Sequence, residues 1–593
     1  MTATRLSTCL AILLLIPILA RADADTDFAV LLDEVWEWQL AADPMLASRL
    51  GDRRYNRTWR DDSFEAIEAR DQDMRDFLRR LLEIDSAALD SENQLNYELF
   101  RRQLTTAVER QQFGGHMLPF SHRGGIQNLE SRADLLRFES ADDYRDWLAR
   151  LAEVKTLVKQ QIALAEAGIE AGLVPPRALA GRIPSQIAAQ LVEEPEDSPF
   201  FRLFDNLPDT LDAAEREAIR KDALTTIDKQ VLPAYKRLAS WFERVYLPAA
   251  RDSVGLSALP DGGAWYEFLA RHYTTTEMTP DEIHRLGLDE VKRIRDQMME
   301  IIAEVEFEGD FRAFLTFLRT DSRFYFDDPQ DLYDAYLATC KRIDPELVRL
   351  FGKLPRMPYG VRPIPDSIAP DTTTAYYTRP AADGSRAGIY WVNLYKPEVR
   401  PAYEIEVLSV HEAMPGHHLQ LALQQELGDL PKFRRYSGFT AFTEGWGLYS
   451  ESLGYELGLY TDPYSRFGAL TYDMWRAVRL VVDTGIHYKG WTREQAIDFF
   501  KANAAKTEHD IVNEIDRYIG NPGQALAYKI GQLKILELRR TAEAQLGENF
   551  DVRAFHDELL GAGALPLDLL ENRMNAWVTA EVQALAARSA ASP

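Results

Sequence analysis

Cysteine is almost missing from this chain of 593 residues: Cys9 and Cys340 are the only two. Cys9 opens an N-terminal apolar run, so a chain cleaved after that run keeps Cys340 alone and forms no internal disulfide. Basic residues are short as well, 68 Lys and Arg against 93 Asp and Glu, for a formal charge of −25. A field of that sign repels phosphate backbones and anionic lipid, so no nucleic-acid partner is expected. Beyond residue 20 no stretch is long and apolar enough to span a bilayer. There is no internal repeat, no low-complexity tract and no G-x-S-x-G for a serine nucleophile. The glycines around Tyr528-Lys529-Ile530-Gly531 are not spaced as a phosphate loop, which sets nucleotide binding aside.

What is present is an ordinary globular composition, 46% hydrophobic and 27% charged, sufficient for a large core. Residues 1–24 read as a secretory signal peptide: Arg5 precedes the apolar run 9–20, and Ala20-Arg21-Ala22 and Ala22-Asp23-Ala24 supply small-residue cleavage sites. The run is short of the roughly 20 residues a spanning helix needs, so no stable membrane span remains after removal of the signal. Cys9 stands at the start of the run and not after it, so it is not placed for lipidation. The expected location is periplasmic or secreted.

Apolar residues then recur at spacings of three and four, predicting helices over 64–84, 92–110, 141–167, 211–246, 279–305 and 330–351. The expected fold is mainly α, a two-lobed helical body with lobes 25–270 and 271–593 around a cleft. Prolines 355, 358, 363, 365 and 370 exclude helix from that span, and a loop and small sheet are expected. Residues 372–378 and 387–394 are rich in β-branched and aromatic types and flank Ala382-Asp383-Gly384-Ser385, which predicts a β-hairpin beside the cleft. Helical periodicity returns at Tyr403.

Residues 407–418 read VLSVHEAMPGHH. In the zinc-binding pattern H-E-x-x-H, histidines four apart share a helix face and reach one ion, while the glutamate acts as base. Here His411 and His417 are six apart, on opposite faces of a straight helix. His418 returns to the first face but lies about 10.5 Å along the axis. Pro415 and Gly416 break the helix, and extruding Met414 and Pro415 would make His411 and His417 equivalent to the ordinary pair. His417 is the expected second ligand of one zinc ion, with His418 as its rival. Two histidines call for a carboxylate as third ligand. In AFTEGWGLYSE that is Glu444, whose flanking Gly445 and Gly447 predict close approach of another element. Glu451 reads as an exposed helix charge or as a carboxylate behind a ligand.

HEAMPGHH, DGSRAGIYWVNL, FTEGWGLYSE and RYIGNPGQALAYKIGQLKI together resemble the bacterial domain-of-unknown-function family 885, over most of the mature chain. The resemblance implies a helical zinc-metallopeptidase-like fold. A weaker likeness, to angiotensin-converting-enzyme-like and oligopeptidase zinc peptidases, implies a glutamate ligand at Glu444; this chain departs from their motif by two extra residues before Gly416-His417.

The chemistry expected is peptide hydrolysis, with Glu412 taking the proton of a zinc-activated water. An oxyanion donor is sought among Tyr518, His487, His509 and Tyr528; the likeness to angiotensin-converting-enzyme-like peptidases favours Tyr518. Arg386 and Asn393 on the hairpin could contact a peptide, and Lys529 or Arg379 could receive its terminal carboxylate. Carboxypeptidase, dipeptidase and oligopeptidase activities stay open, as do a zinc amidase and a catalytically inactive binding or scaffold protein.

Overall fold

A computed structural model describes residues 6–591 apart from 367–368, 370–372, 382–383, 385, 429 and 437, with side chains described within 24–590. Residues 1–5 of the expected signal peptide therefore lie outside the described residues, and the backbone of Leu6–Ala42 forms one helix. Among the described residues no helix is long and apolar enough to cross a membrane. The chain divides into two compact units, the first holding residues 1–254 and 258–261, the second 255–257 and 262–593.

The first unit is helical for reasons visible in its caps. Ser63 accepts from the Ala66 amide at the start of Phe64–Leu82, Asp90 caps Ser91–Gln111, and Ser140 with Asp143 forms a reciprocal capping box on Ala141–Ala152. Trp147, Tyr235 and Phe242 lie in its hydrophobic core. The stretch expected as one helix over 211–246 is helical from Ala213, behind an Asp212 cap, and widens twice into π turns, Ile227–Val231 and Phe242–Tyr246. Each π turn is followed at once by Leu-Pro. Proline offers no amide and crowds the carbonyl one turn back, so the helix loosens ahead of it and does not end.

In the second unit Pro280–Glu304, opened by a Thr279–Glu282 capping box, packs on Pro463–His487. Six helices build the site and are numbered in chain order: α1 Ile405–Glu412, α2 His417–Glu426, α3 Thr440–Leu453, α4 Pro463–His487, α5 Glu508–Gly520 and α6 Ala527–Leu546. The three-stranded sheet has the order β1-β3-β2, with β1 Tyr359–Pro363, β2 Ala375–Thr378 and β3 Gly388–Val392. β2 and β3 pair antiparallel as the expected hairpin, setting Tyr376 opposite Trp391. Its turn residues 382, 383 and 385 lie outside the described residues. β1 pairs parallel to β3 and was hidden in the proline-rich span. Prolines 358 and 363 only bracket this strand, and it sits at the sheet edge, where a missing amide is tolerated.

Helices α3 and α6 touch backbone to backbone. A Cβ on Gly445 would lie 2.5 Å from Gly531 Cα, and one on Gly531 would strike the Ala441 carbonyl. Gly531→Ala is expected to destabilise the protein by about 2 kcal/mol or more through forced separation of these helices. Gly263→Ala, where a Cβ meets nothing within 4 Å, is expected to be neutral or slightly stabilising. Denaturant unfolding of the two variants beside the parent checks the contrast; equal behaviour would contradict the packing.

Candidate metal centre

The site begins with a broken helix. α1 stops at Glu412, Ala413 adopts φ −98°, ψ −107°, and α2 starts at His417. Gly416 packs so tightly over the end of α1 that a Cβ would strike the carbonyls of His411 and Val410. The loop carbonyls freed by the break are not left bare: the Trp446 indole N–H, on α3, donates to Pro415 O at 2.9 Å and approaches Gly416 O at 3.3 Å. The break undoes the six-residue offset. The His411 and His417 rings lie 4.7 Å apart at 85°.

Glu444 of α3 completes the group. Its Oε2 is 4.0 Å from His411 Nε2 and 3.5 Å from His417 Nε2, and one donor atom from each of the three residues lies within 4.8 Å of the others. Ligand atoms about 2.05 Å from a tetrahedral ion stand about 3.3 Å apart, so this spacing fits zinc with little movement. Gly447, one turn along α3, makes room: a Cβ there would come within 2.8 Å of His411 Cε1 and 3.2 Å of His417 Cε1. The paired glycines of TEGWG thus serve two neighbours, Gly445 the α6 backbone and Gly447 the imidazoles.

Electrostatics prepare the donors. Burial, with the charges of His417, Arg476 and Arg479, holds His411 well below its ordinary pKa, so its imidazole is neutral. Its Nδ1 faces Glu451 Oε1 at 2.8 Å. Arg476 Nη2 stands 3.2 Å from the same oxygen in an ion-pair contact, which marks Oε1 as the acceptor of Nδ1–H and leaves the Nε2 lone pair toward Glu444. Glu451 is buried and pushed up by that burial to about 8; the expectation of an exposed charge fails because α3 is covered on that face by α1 and α4. Burial alone would depress His417, but Glu444 outweighs it and raises the imidazole. Reciprocally, burial would raise Glu444, and His417 with the nearby arginines holds it below the usual carboxylate range. Glu412, half-buried beside the triad, is raised chiefly by desolvation.

Several expected site residues are held elsewhere. His418 is not a ligand: Nε2 donates to Met357 O at 3.0 Å and Nδ1 accepts from the Tyr377 hydroxyl at 2.7 Å, and burial lowers it to about 4. Tyr518 is fully buried, with its hydroxyl accepting from Arg479 Nε and Trp475 Nε1 and giving its one proton to Glu514 at 2.6 Å, so no proton is left for an oxyanion. His487 bonds the Leu256 amide and the Tyr518 carbonyl through its two nitrogens. His509 lies exposed on α5 beside Asn513. Lys529 is fully buried between Asp473 at 2.6 Å and Glu290 at 2.9 Å and cannot receive a substrate carboxylate. Asn393, also fully buried, ties down Ala369 O, Thr373 O and the Tyr395 amide, and Arg386 folds back on the carbonyls of Arg379 and Ala387. Arg379 is exposed at the end of β2. Tyr528 alone of the sought donors stays partly exposed near the triad, close enough for the Glu444 charge to act on it.

A family model described as "Bacterial protein of unknown function (DUF885)" matches residues 44–574. The chain belongs to the DUF885 family. Two solved structures share its fold. A "putative lipoprotein" from Colwellia psychrerythraea is 29% identical, with TM-score 0.85 over 94% of this chain and 99% of its own. A "putative lipoprotein of unknown function" from Shewanella oneidensis is 19% identical, with TM-score 0.74 over 92% of this chain and 99% of its own. No curated protein matches. This DUF885 chain is thus placed by fold and family, and its chemistry rests on the site itself.

Arg476 and Arg479 went unread in the sequence, although a signal was present: WRAVRLVVD sets two arginines three apart in an otherwise apolar helix, where an unpaired charge is costly. The positions of the two adjacent histidines give a direct test. His418→Gln is expected to lower the unfolding temperature by several degrees, for the loss of a buried ring bonded at both nitrogens, while leaving divalent-metal affinity within about threefold. Gly447→Ala is expected to lower that affinity at least about tenfold by displacing both imidazoles. Metal titration with thermal unfolding reads both.

Proposed function

We propose that this DUF885 protein is an exported zinc-dependent peptidase that hydrolyses short or unfolded peptides, working in the periplasm or outside the cell. The observation that carries the reading is the convergence of His411, His417 and Glu444 beside Glu412, a half-buried carboxylate outside the cluster of three. Held by those three residues, zinc supplies a Lewis acid that acidifies water and polarises an amide carbonyl. Three protein ligands leave a position open, whereas a purely structural zinc is closed by four, and this favours catalysis over an inactive scaffold.

The chain's own groups then have distinct tasks. Glu412 as carboxylate takes a proton from the attacking water, and its desolvated position suits it to keep that proton until the leaving amine needs it. Tyr528 presents its hydroxyl to the oxygen that gains charge, the role that Tyr518 cannot fill. Glu451 and Arg476 fix the His411 ring so that Nε2 and not Nδ1 faces the centre. The signal-like N-terminus supports export, as do the two similar structures, each called a putative lipoprotein.

Zinc-loaded protein and its Glu412→Gln variant on a mixed peptide library test this reading. The variant is expected to keep about one equivalent of zinc and to lose cleavage by about 100-fold or more. Tyr528→Phe is expected to lower kcat about 100-fold with little change in KM, while Tyr518→Phe is expected to act mainly on stability. Absence of any cleavage by the zinc-loaded parent would overturn the peptidase reading.

A further inference from the structure

Arg479 of α4 is 5% exposed, and its guanidinium is only partly engaged. Nε donates to the Tyr518 hydroxyl at 2.8 Å and Nη2 to Glu514 Oε2 at 3.1 Å, but Nη1 is buried with no hydrogen-bond partner among the described residues. Glu514 is already claimed. Arg517 grips both of its oxygens, Nε to Oε1 at 3.0 Å and Nη2 to Oε2 at 2.9 Å, and Tyr518 adds a third donor at 2.6 Å. Two guanidiniums therefore share one carboxylate, and one buried positive charge is unmatched. A buried charge without a partner is expensive, so this arrangement asks for an anion.

No other carboxylate in the neighbourhood is free to serve. Arg476, one turn before Arg479, is paired with Glu451, and Glu444, which feels the Arg479 charge, belongs to the His411–His417 group. By contrast, the nearby Lys529 and Arg293 are balanced by Asp473 and Glu290. Aromatic rings cover Arg479 on its flanks, Trp475 at 4.9 Å and Tyr528 at 4.3 Å from the guanidinium carbon. Both rings are half-buried, and Tyr528, like Arg479 itself, is close enough to the metal-ligand cluster to interact with the Glu444 charge, so the unpartnered Nη1 belongs to a guanidinium in the cluster's own neighbourhood.

We propose that Arg479 is the receptor for a substrate carboxylate: Nη1 takes the C-terminal carboxylate of a short peptide, giving the enzyme a preference for peptides with a free C-terminus. The inference rests on the peptidase reading and assigns its end preference. It replaces the earlier expectation for Lys529, whose charge is consumed inside the protein. A guanidinium suits the role because a charge-assisted hydrogen bond to carboxylate is both strong and directional.

The test uses a pool of N-acetylated tripeptides with free C-termini and the same pool as C-terminal amides. Zinc-loaded parent protein is expected to cleave the free-acid pool at least about tenfold faster than the amide pool. Arg479→Lys, which keeps the charge but loses the fork, is expected to reduce that ratio to below about threefold with zinc content unchanged. Equal cleavage of the two pools by the parent protein, which needs no variant to fold, would overturn the inference and leave the peptidase reading intact. Cleavage of the mixed library but of neither pool would overturn the inference, and cleavage of neither the library nor the pools would overturn the peptidase reading. In that event thermal stabilisation of the zinc-loaded Glu412→Gln protein decides the role of Arg479. Stabilisation by the acid pool alone, absent in a Glu412→Gln/Arg479→Lys protein, supports a carboxylate site; stabilisation by both pools or by neither overturns it.

Discussion

The whole site depends on one interruption, the four residues Ala413 to Gly416 between two helices. An unbroken helix would send His411 and His417 to opposite sides and place any common ligand out of reach. Stopping the helix frees carbonyls inside a core, and the Trp446 indole reaches back to donate to those of Pro415 and Gly416 while the first amides of α2 serve Ala413 and Gly416. Trp446 stands two residues after Glu444 on the same helix. The element that supplies the carboxylate thus also holds the turn that makes the two histidines its neighbours, and the three-residue group is assembled by three helices, α1, α2 and α3, each supplying one residue.

Charge in this core follows the same economy of contacts. His411 is kept neutral by burial and kept in one tautomer by Glu451, which Arg476 in turn supports. Beside it the Tyr518 hydroxyl, which by residue type alone qualifies as a donor to substrate, is spent on binding Arg479, Trp475 and Glu514 together. Donors available to a ligand are those the protein has left unspent, and a count of hydrogen bonds separates Tyr528 from Tyr518 and Arg479 from Lys529 where residue type could not.

Much of this was legible in advance. Regular spacing announced the helices, proline and glycine announced the break, and the paired glycines around Glu444 announced close packing, since each of these signals is local. The β1 strand was not legible, because a short strand bracketed by prolines is made a strand by its parallel partner β3, about 30 residues away in sequence. Nor could His417 be separated from His418 by spacing alone. Their difference lies in what surrounds them: a sheet residue, Tyr377, and the Met357 carbonyl claim one, and a carboxylate from α3 faces the other. Long-range partners of this kind leave no periodic mark. The arginines of α4 are the middle case, visible as misfits in an apolar helix but without a role until Glu451 and Glu514 are seen beside them.

The glycine contact between α3 and α6 has a mechanical consequence. Glu444 rides on one of these helices and Tyr528 on the other, and backbone meets backbone where they cross. Their spacing is therefore set by the chain itself and not by adjustable side chains, so the two helices behave as a single plate. A ligand cannot be gripped by drawing these two helices together; any closing motion around one has to come from side-chain rotation or from elements outside the plate.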